Sequence, residues 1–289
     1  MPAAPPPDAL DRVAQPRQLI VTLYGLYARH DSGWFSVSAL IRLLAETGVE
    51  EAAVRSSISR LKRRGLLRSE SVGGTAGYGL SELGRQILAE GDQRIFARPR
   101  AGVEDGWLLA VFSVPESERD MRHLLRARLR WLGFGTAAPG VWIAPAHLQA
   151  ETREVLARHD LARYVDLFEA SYLAFGDLRT QVTRWWDLPE LQDLYQSFID
   201  GYGPTLRRWR RRVDVPASSQ TFADYITMVT AWRRLPFLDP GLPAEVLPPD
   251  WHGTRAADIF AELGSLLAAG AEQFVESVVR NPPVRSTTG

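Results

Sequence analysis

The chain has 289 residues, of which 45% are hydrophobic and 24% are charged, and these values are typical of a globular protein of about two domains. The absence of cysteine excludes disulfide frameworks, thiolate zinc sites and cysteine nucleophiles. No two of the five histidines have helical i, i+4 spacing, so we expect no metal site and no cofactor. No apolar run approaches the ~20 residues of a membrane span, and the N-terminus lacks the features of a signal peptide. We therefore expect a cytoplasmic protein with no membrane partner.

The formal net charge of zero hides an uneven distribution of charge along the chain. Residues 1–100 carry 14 basic and 10 acidic side chains, whereas residues 101–180 carry 9 and 11, and residues 181–289 carry 11 and 13. A basic N-terminal third predicts a segment that meets a polyanion. Lys62 is the only lysine, so the other basic side chains are arginines, which make planar two-pronged contacts.

The chain begins with a proline-rich stretch, residues 1–16, for which we expect a disordered lead-in, and it ends with a similar tail at 281–289. Residues 17–98 follow the lead-in, and their apolar spacing predicts three short helices, the second capped by Ser36. A hairpin with a flexible tip at 73–77 comes next, and a fourth helix follows it. Three helices and a small hairpin predict a winged helix-turn-helix domain.

The third predicted helix runs from about Glu50 to Arg64 and has two different faces. Val54, Ile58 and Leu61 recur at i, i+4, i+7 and share the apolar face. Arginine and serine, which reach base edges and phosphates, occupy the opposite face, its flank and the C-terminal end. The alternative interpretation is a solvated helix face. We predict that DNA is bound by Arg55, Ser56, Ser59, Arg60, Lys62, Arg63, Arg64 and, on the hairpin, Tyr78.

These side chains are expected to divide by role. Arg60, with Ser56 and Ser59, points outward in the middle of the helix, and we assign it to base reading. Lys62, Arg63 and Arg64 cluster at the end of the helix, and we assign them to phosphate contacts.

Two further segments follow the N-terminal one. Residues 99–176 have the order βαββαβ of a ferredoxin-like domain, a plan that hosts many functions and fixes none. Residues 177–280 have helical apolar spacing and predict an all-α C-terminal domain. The sequence therefore predicts an α+β protein with three domains.

Two stretches of the sequence are more specific than these patterns: RWLGFGTAAPGVWIAP at 130–145 and FLDPGLPAEVLPPDWHG at 237–253. With the helical stretch that begins at Arg17, they resemble the PaaX family of bacterial transcriptional repressors of phenylacetic acid degradation. The resemblance covers about residues 17 to 280. It implies a homodimer that binds palindromic double-stranded operator DNA and is released by an acyl-CoA effector, phenylacetyl-CoA in the founding members.

The resemblance also implies a recognition helix at Glu50 to Arg64 and a middle domain similar to the fold of a small CRISPR-associated nuclease. Family hairpins often carry arginine and paired tyrosines, whereas this one reads Gly73-Gly74-Thr75-Ala76-Gly77-Tyr78. This departure weakens the case for strong contacts between the hairpin and phosphates.

Tryptophan and arginine clusters in the C-terminal segment are candidates for binding an effector. Guanidinium groups suit the phosphates of coenzyme A, and tryptophan suits an aromatic ring. The alternative interpretation is an aromatic core with a solvated, charged helix end. The candidate residues are Trp185, Arg207, Arg208, Arg233 and Arg234.

We expect no catalytic residues. A nuclease on the middle domain needs a metal-binding aspartate at the end of the first strand, and this strand ends in Phe112-Ser113-Val114-Pro115 with no carboxylate before Glu116. The chain also lacks G-x-S-x-G, a Walker loop and G-x-G-x-x-G. Two alternatives to an acyl-CoA-responsive repressor remain: a regulator of the same fold with a different ligand or none, and a nuclease-like enzyme.

Overall fold

The computed structural model describes residues 15–28, 33–97, 100–173 and 175–280, without the side chains of residues 90 and 93. The predicted tail and residues 1–14 of the predicted lead-in lie outside these ranges. The described residues form helical N- and C-terminal parts and a central sheet region, so the predicted α+β class is confirmed.

The N-terminal part alternates short helices with a small sheet. Its elements are α1 (Pro16–Tyr27), β1 (Trp34–Ser36), α2 (Val37–Ala45), α3 (Glu51–Arg63), β2 (Leu67–Val72), β3 (Thr75–Leu80) and α4 (Glu82–Asp92). Ser36 caps α2 as predicted, because its hydroxyl accepts a hydrogen bond from the backbone N–H of Ala39 at 3.1 Å.

The sheet of this part differs from the prediction in two places. The sequence predicted no strand between the first two helices, but β1 pairs antiparallel with β3, and the strand order is β1-β3-β2. The hairpin tip was predicted at 73–77, but it contains only Gly73 and Gly74. Both have positive φ, 56° and 75°, which allows a two-residue turn that glycine adopts without strain.

The central part forms a four-stranded antiparallel sheet with the order β5-β6-β4-β7. Its elements are β4 (Trp107–Phe112), α5 (Arg119–Trp131), β5 (Gly135–Ala138), β6 (Val141–Pro145), α6 (Gln149–Arg158) and β7 (Val165–Ala170). Leu108 and Ala110 of β4 are fully buried in one apolar cluster with Leu125 and Leu129 of α5. The helices therefore cover one face of this sheet.

The C-terminal part is helical, as its apolar spacing predicts. It contains α7 (Leu178–Trp185), α8 (Leu188–Arg210), α9 (Ser219–Trp232) and α10 (His252–Arg280). Two short 3₁₀ turns, Leu235–Phe237 and Ala244–Val246, lie in the proline-rich connection between α9 and α10.

The described residues divide into two compact units that do not follow chain order. One unit contains Gln93–Gln196 and Arg233–Thr254. The other contains the described residues up to Asp92, Ser197–Trp232, and residues 255–280. In this second unit the core of α1, α2 and α3 continues into α9 and α10, because Phe222, Ile226 and Ala271 are buried in the same cluster as Leu23 and Ile58. The predicted boundaries between three consecutive domains stay a prediction.

Candidate nucleic-acid interface

Helix α3 has the two faces that the sequence predicts. Val54, Ile58 and Leu61 are at most 2% exposed and anchor the helix in the core. Every polar side chain assigned to DNA on this helix and at its C-terminal end is exposed, namely Arg55, Ser56, Ser59, Arg60, Lys62, Arg63 and Arg64. Ser57, which the angular spacing places between the two faces, is buried. The structure therefore brings a serine- and arginine-rich strip to the surface on a helix that the core holds rigidly.

Positive charge is unevenly distributed along this strip. Near the N-terminus of α3, Arg55 pairs with Glu51 one turn earlier at 2.7 Å, and both side chains are more than half exposed. An exposed pair of this kind contributes at most about 1 kcal/mol to stability, so it leaves Arg55 free to exchange partners. At the C-terminal end, Lys62, Arg63 and Arg64 follow one another. The excess of positive charge is concentrated at that end.

Arg17, in the first turn of α1, joins this cluster. Burial, together with the positive charges of Arg64 and Arg60, lowers the pKa of its guanidinium below the ordinary value. Helix α1 packs against α3, and Leu19, Ile20 and Leu23 hold it in the shared core. The three arginines therefore form one positive surface built from two helices.

Sequence reasoning missed Arg17 because the residue is more than 40 positions from Arg60 along the chain. Only the packing of α1 on α3 places their charges together. A basic residue at the start of the helix that precedes α2 and α3 was the one available signal.

The hairpin contributes less positive charge than the helix. Tyr78 lies on the central strand β3, and its half-buried ring packs against the core of the unit. Its carbonyl accepts a hydrogen bond from the Tyr24 hydroxyl at 2.7 Å. Arg68 on β2 is 51% exposed, but its guanidinium pairs with Glu70 at 3.0 Å. The charges of Arg68 and Glu70 on the hairpin thus compensate each other, so the hairpin is less basic than the C-terminal end of α3.

The candidate effector residues fall in both compact units. Trp185, Arg233 and Arg234 belong to one compact unit, and Arg207 and Arg208 belong to the other. Trp185 is half-buried and packs edge-to-face on Trp107 and on Tyr172, with ring centroids 5.8 and 5.7 Å apart. These contacts make Trp185 part of an aromatic core.

Two arginines of the run at 207–212, Arg208 and Arg210, pair with acidic side chains. The carboxylate of Asp224 on α9 accepts hydrogen bonds from Arg208 at 2.5 Å and from the indole N–H of buried Trp209 at 2.8 Å. Arg210 pairs with Glu262 on α10. Arg212 lies over the ring of Trp209, with 4.4 Å between the guanidinium carbon and the ring centroid. These arginines join α8 to its neighbours, which favours the structural interpretation of this cluster.

The acidic side chains near the end of β4 are also engaged. Glu116 pairs with Arg122 at 2.8 Å, and Glu118 accepts a hydrogen bond from the Tyr164 hydroxyl. In the described part of the chain, no group of three or more histidine or acidic side chains is placed to hold a metal ion. None of the described helices is long and apolar enough to cross a membrane.

Three family models match consecutive parts of the chain. Residues 15–84 match "PaaX-like protein", residues 100–182 match "PaaX protein central Cas2-like domain", and residues 186–277 match "PaaX-like protein C-terminal domain". Together they span both helical parts and the sheet between them.

Similar proteins are found among curated sequences and among solved structures. The chain is 27% identical over 260 residues to the transcriptional repressor PaaX of Escherichia coli strain K12, across 89% of this chain and 82% of that protein. An uncharacterized protein from Mycobacterium tuberculosis has a similar structure, with a TM-score of 0.60, 22% identity, and coverage of 90% of this chain and 97% of the other. The second likeness concerns the fold.

Proposed function

Since this chain belongs to the PaaX family of transcriptional repressors, we propose that it represses transcription by binding double-stranded operator DNA through α3. The observation that carries this proposal is the exposed strip of serine and arginine on a helix whose other face is buried. A rigid helix of this kind fits the major groove, where arginine reads guanine and serine reaches either base or backbone.

The order of the elements supports a winged helix-turn-helix for the first part. Helices α2 and α3 form the pair, and the hairpin of β2 and β3 is the wing. The strand order β5-β6-β4-β7 with helices on one face supports a ferredoxin-like plan for the middle part. The three domains of the proposal are residues 17–98, 99–176 and 177–280.

The proposed protein is a homodimer whose two recognition helices lie about 34 Å apart, or a multiple of that distance, on a palindromic site. An acyl-CoA such as phenylacetyl-CoA releases it from DNA. The effector binds the arrangement that is incompetent for DNA more tightly, and it shifts the equilibrium only by that difference in affinity. This part of the proposal rests on family membership.

Substitution of Arg60 and Arg64 tests the roles on α3. Arg60→Ala is expected to weaken binding to operator DNA by about 1–3 kcal/mol and to relax the preference at one base position, because a base contact is lost. Arg64→Ala is expected to weaken binding to operator and random duplexes equally, because it removes a phosphate contact. Fluorescence anisotropy with both duplexes measures the two effects, and the exposed Arg153→Ala on α6 is the control.

The same assay tests the proposal as a whole. The duplexes are fragments of the intergenic region upstream of the gene, and phenylacetyl-CoA is added to the complexes that form. The protein is expected to bind at least one fragment and to leave it when the acyl-CoA is added. Absence of binding to every fragment at low ionic strength overturns the proposal. If Arg60→Ala loses equal affinity for operator and random duplexes, Arg60 contacts the DNA backbone and not a base.

Two other functions predict different results in this assay. A regulator with a different ligand binds the fragment but ignores phenylacetyl-CoA. A nuclease cuts labelled DNA in the presence of a divalent metal. Membership in a family of transcriptional repressors and the engaged carboxylates Glu116 and Glu118 both argue against the nuclease.

A further inference from the structure

The two distinctive sequence stretches meet around one buried arginine. Arg94 lies on the π-helical turn Gln93–Ala97 and is 8% exposed. Its guanidinium pairs with Glu151 at 2.8 Å and donates to the carbonyls of Trp131 and Leu132 at 3.3 and 3.1 Å. It also lies 5.5 Å from the ring of Trp131 and 5.4 Å from that of Phe237, and these two rings stack on each other. Arg94 therefore fixes the positions of both stretches.

A small cleft opens beside Arg94, within the same compact unit. The cleft combines apolar and polar walls, and its lining residues are Arg94, Arg100, His147, Leu148, Pro236, Asp239, Pro240 and Gly241. An organic ligand with one polar end suits such a lining.

One wall holds a carboxylate that already has strong donors. Asp239 is 7% exposed and accepts hydrogen bonds from the Tyr195 hydroxyl at 2.6 Å and from the Gly241 N–H at 2.9 Å. Its contact with Arg100 is longer, 3.5 Å. The Arg100 side chain is 30% exposed and is anchored at its other nitrogen, which donates to the Leu242 carbonyl at 3.1 Å. Arg100 is therefore the guanidinium of the cleft that is best able to turn toward a ligand.

The cleft is also lined by an imidazole with an unsatisfied ring nitrogen. His147 lies on the 3₁₀ turn Ala146–Leu148 and is half-buried. Its Nδ1 atom is withdrawn from solvent and has no hydrogen-bond partner among the described residues. A buried polar atom without a partner is unusual in a folded protein and requires an explanation. A ligand group in the cleft that forms a hydrogen bond with a reoriented His147 ring would explain the unpartnered nitrogen.

We propose that this cleft is a binding site for a small ligand with an anionic group, a carboxylate or a phosphate, held by Arg100 and His147. The anion replaces Asp239 as the partner of one Arg100 nitrogen, and it gives the imidazole a hydrogen-bond acceptor. Leu148, Pro236 and Pro240 contact the apolar part of the ligand. That the ligand is the effector rests on the proposed function, whereas the binding site itself does not.

The charges around His147 make binding at this site depend on pH. Burial and the positive charge of Arg94 lower the pKa of the imidazole, against the smaller opposite effects of Asp105 and Asp239. Arg100 also lines the cleft and adds positive charge. In the free protein these effects favour the neutral imidazole, and a bound anion raises its pKa. Affinity consequently increases as the pH falls, by up to about tenfold for each unit of the increase in pKa.

Binding is measured on the full chain without DNA, so the result is independent of the proposed repressor activity. The probes are inorganic pyrophosphate for the phosphate arm and phenylacetate for the carboxylate arm. Imidazole resonances of the unsubstituted protein are titrated with pH in the presence and absence of each probe, and His147→Gln identifies the signal. This measurement does not depend on whether any other variant folds.

Calorimetry with the probe that binds gives the effect of each side chain. Arg100→Gln is expected to weaken binding at least tenfold, and His147→Gln is expected to abolish its pH dependence. The exposed residues Arg126 and His123 on α5 provide the matched controls Arg126→Gln and His123→Gln, which are expected to bind like the unsubstituted protein. The proposal is overturned if neither probe moves the His147 titration, or if Arg100→Gln binds as tightly as its control.

Discussion

Substitution of Arg17 by glutamine is expected to affect the stability of the free protein and its affinity for DNA differently. In the free protein, burial and the charges of Arg60 and Arg64 disfavour the charged form of Arg17, as its lowered pKa indicates. Loss of that charge is therefore expected to leave the free energy of unfolding unchanged or to raise it. If the protein binds DNA as proposed, the same loss removes one cation from the surface that meets the phosphates, so affinity is expected to fall. The substitution is therefore expected to weaken DNA binding without lowering the free energy of unfolding.

The size of the DNA effect follows from counterion release. Each phosphate that a protein neutralises contributes about 0.9 to the slope of log affinity against log salt concentration. With one contact fewer, the slope of Arg17→Gln is expected to be shallower by about 0.9. Between 50 and 200 mM salt, the affinity deficit of the variant relative to the unsubstituted protein then shrinks by about 3.5-fold.

Anisotropy titrations at 50, 100 and 200 mM salt measure this slope on operator and random duplexes, and urea unfolding measures stability. Arg153→Gln, an exposed substitution on α6, is the control and is expected to change neither quantity. A slope for Arg17→Gln equal to that of the unsubstituted protein would remove Arg17 from the interface. A large loss of stability would refute the reasoning from repulsion.

Two further predictions concern the scaffold, and urea unfolding tests both. Gly77→Ala is expected to destabilise the protein by about 1–3 kcal/mol or more, because the new Cβ overlaps the Phe35 carbonyl and the Trp34 ring, whereas exposed Ala76→Ser on the same strand is expected to be neutral. Arg94→Met is expected to cost about 3–5 kcal/mol, because Glu151 and two carbonyls lose a buried partner; a loss below 1 kcal/mol would contradict the role given to Arg94.

The serine- and arginine-rich strip on α3 was predictable because it depends on local periodicity. Val54, Ile58 and Leu61 are spaced to share one helix face, so the opposite face was known before the structure. The helix start at Ser36 was predictable for the same reason, since a cap involves residues three positions apart. Strand β1 was not predictable from the sequence, because a strand of three residues carries no periodic signal. It also pairs with a strand more than 40 positions away.

The C-terminal clusters show the opposite case. Trp185, Arg207 and Arg208 were candidates because their residue types suit an anionic aromatic ligand. In the structure, Trp107 and Tyr172 contact Trp185, and Asp224 binds Arg208. These contacts favour a structural role, and the assignment to an effector site stays a prediction. The sequence left both a core role and a binding role open for these side chains, because composition does not say which carboxylate or ring lies opposite.

Local spacing thus determined the α+β class and the helix that presents serine and arginine, and composition determined the absence of thiol chemistry. Only the tertiary structure decided that Arg17 joins Arg60 and Arg64, that Arg208 is paired, and that His147 faces a cleft with Arg100. The physical reason is the separation along the chain of the residues that take part in each kind of interaction. Periodicity and capping act over a few residues, whereas charge, burial and hydrogen bonding depend on neighbours that only the folded chain brings together.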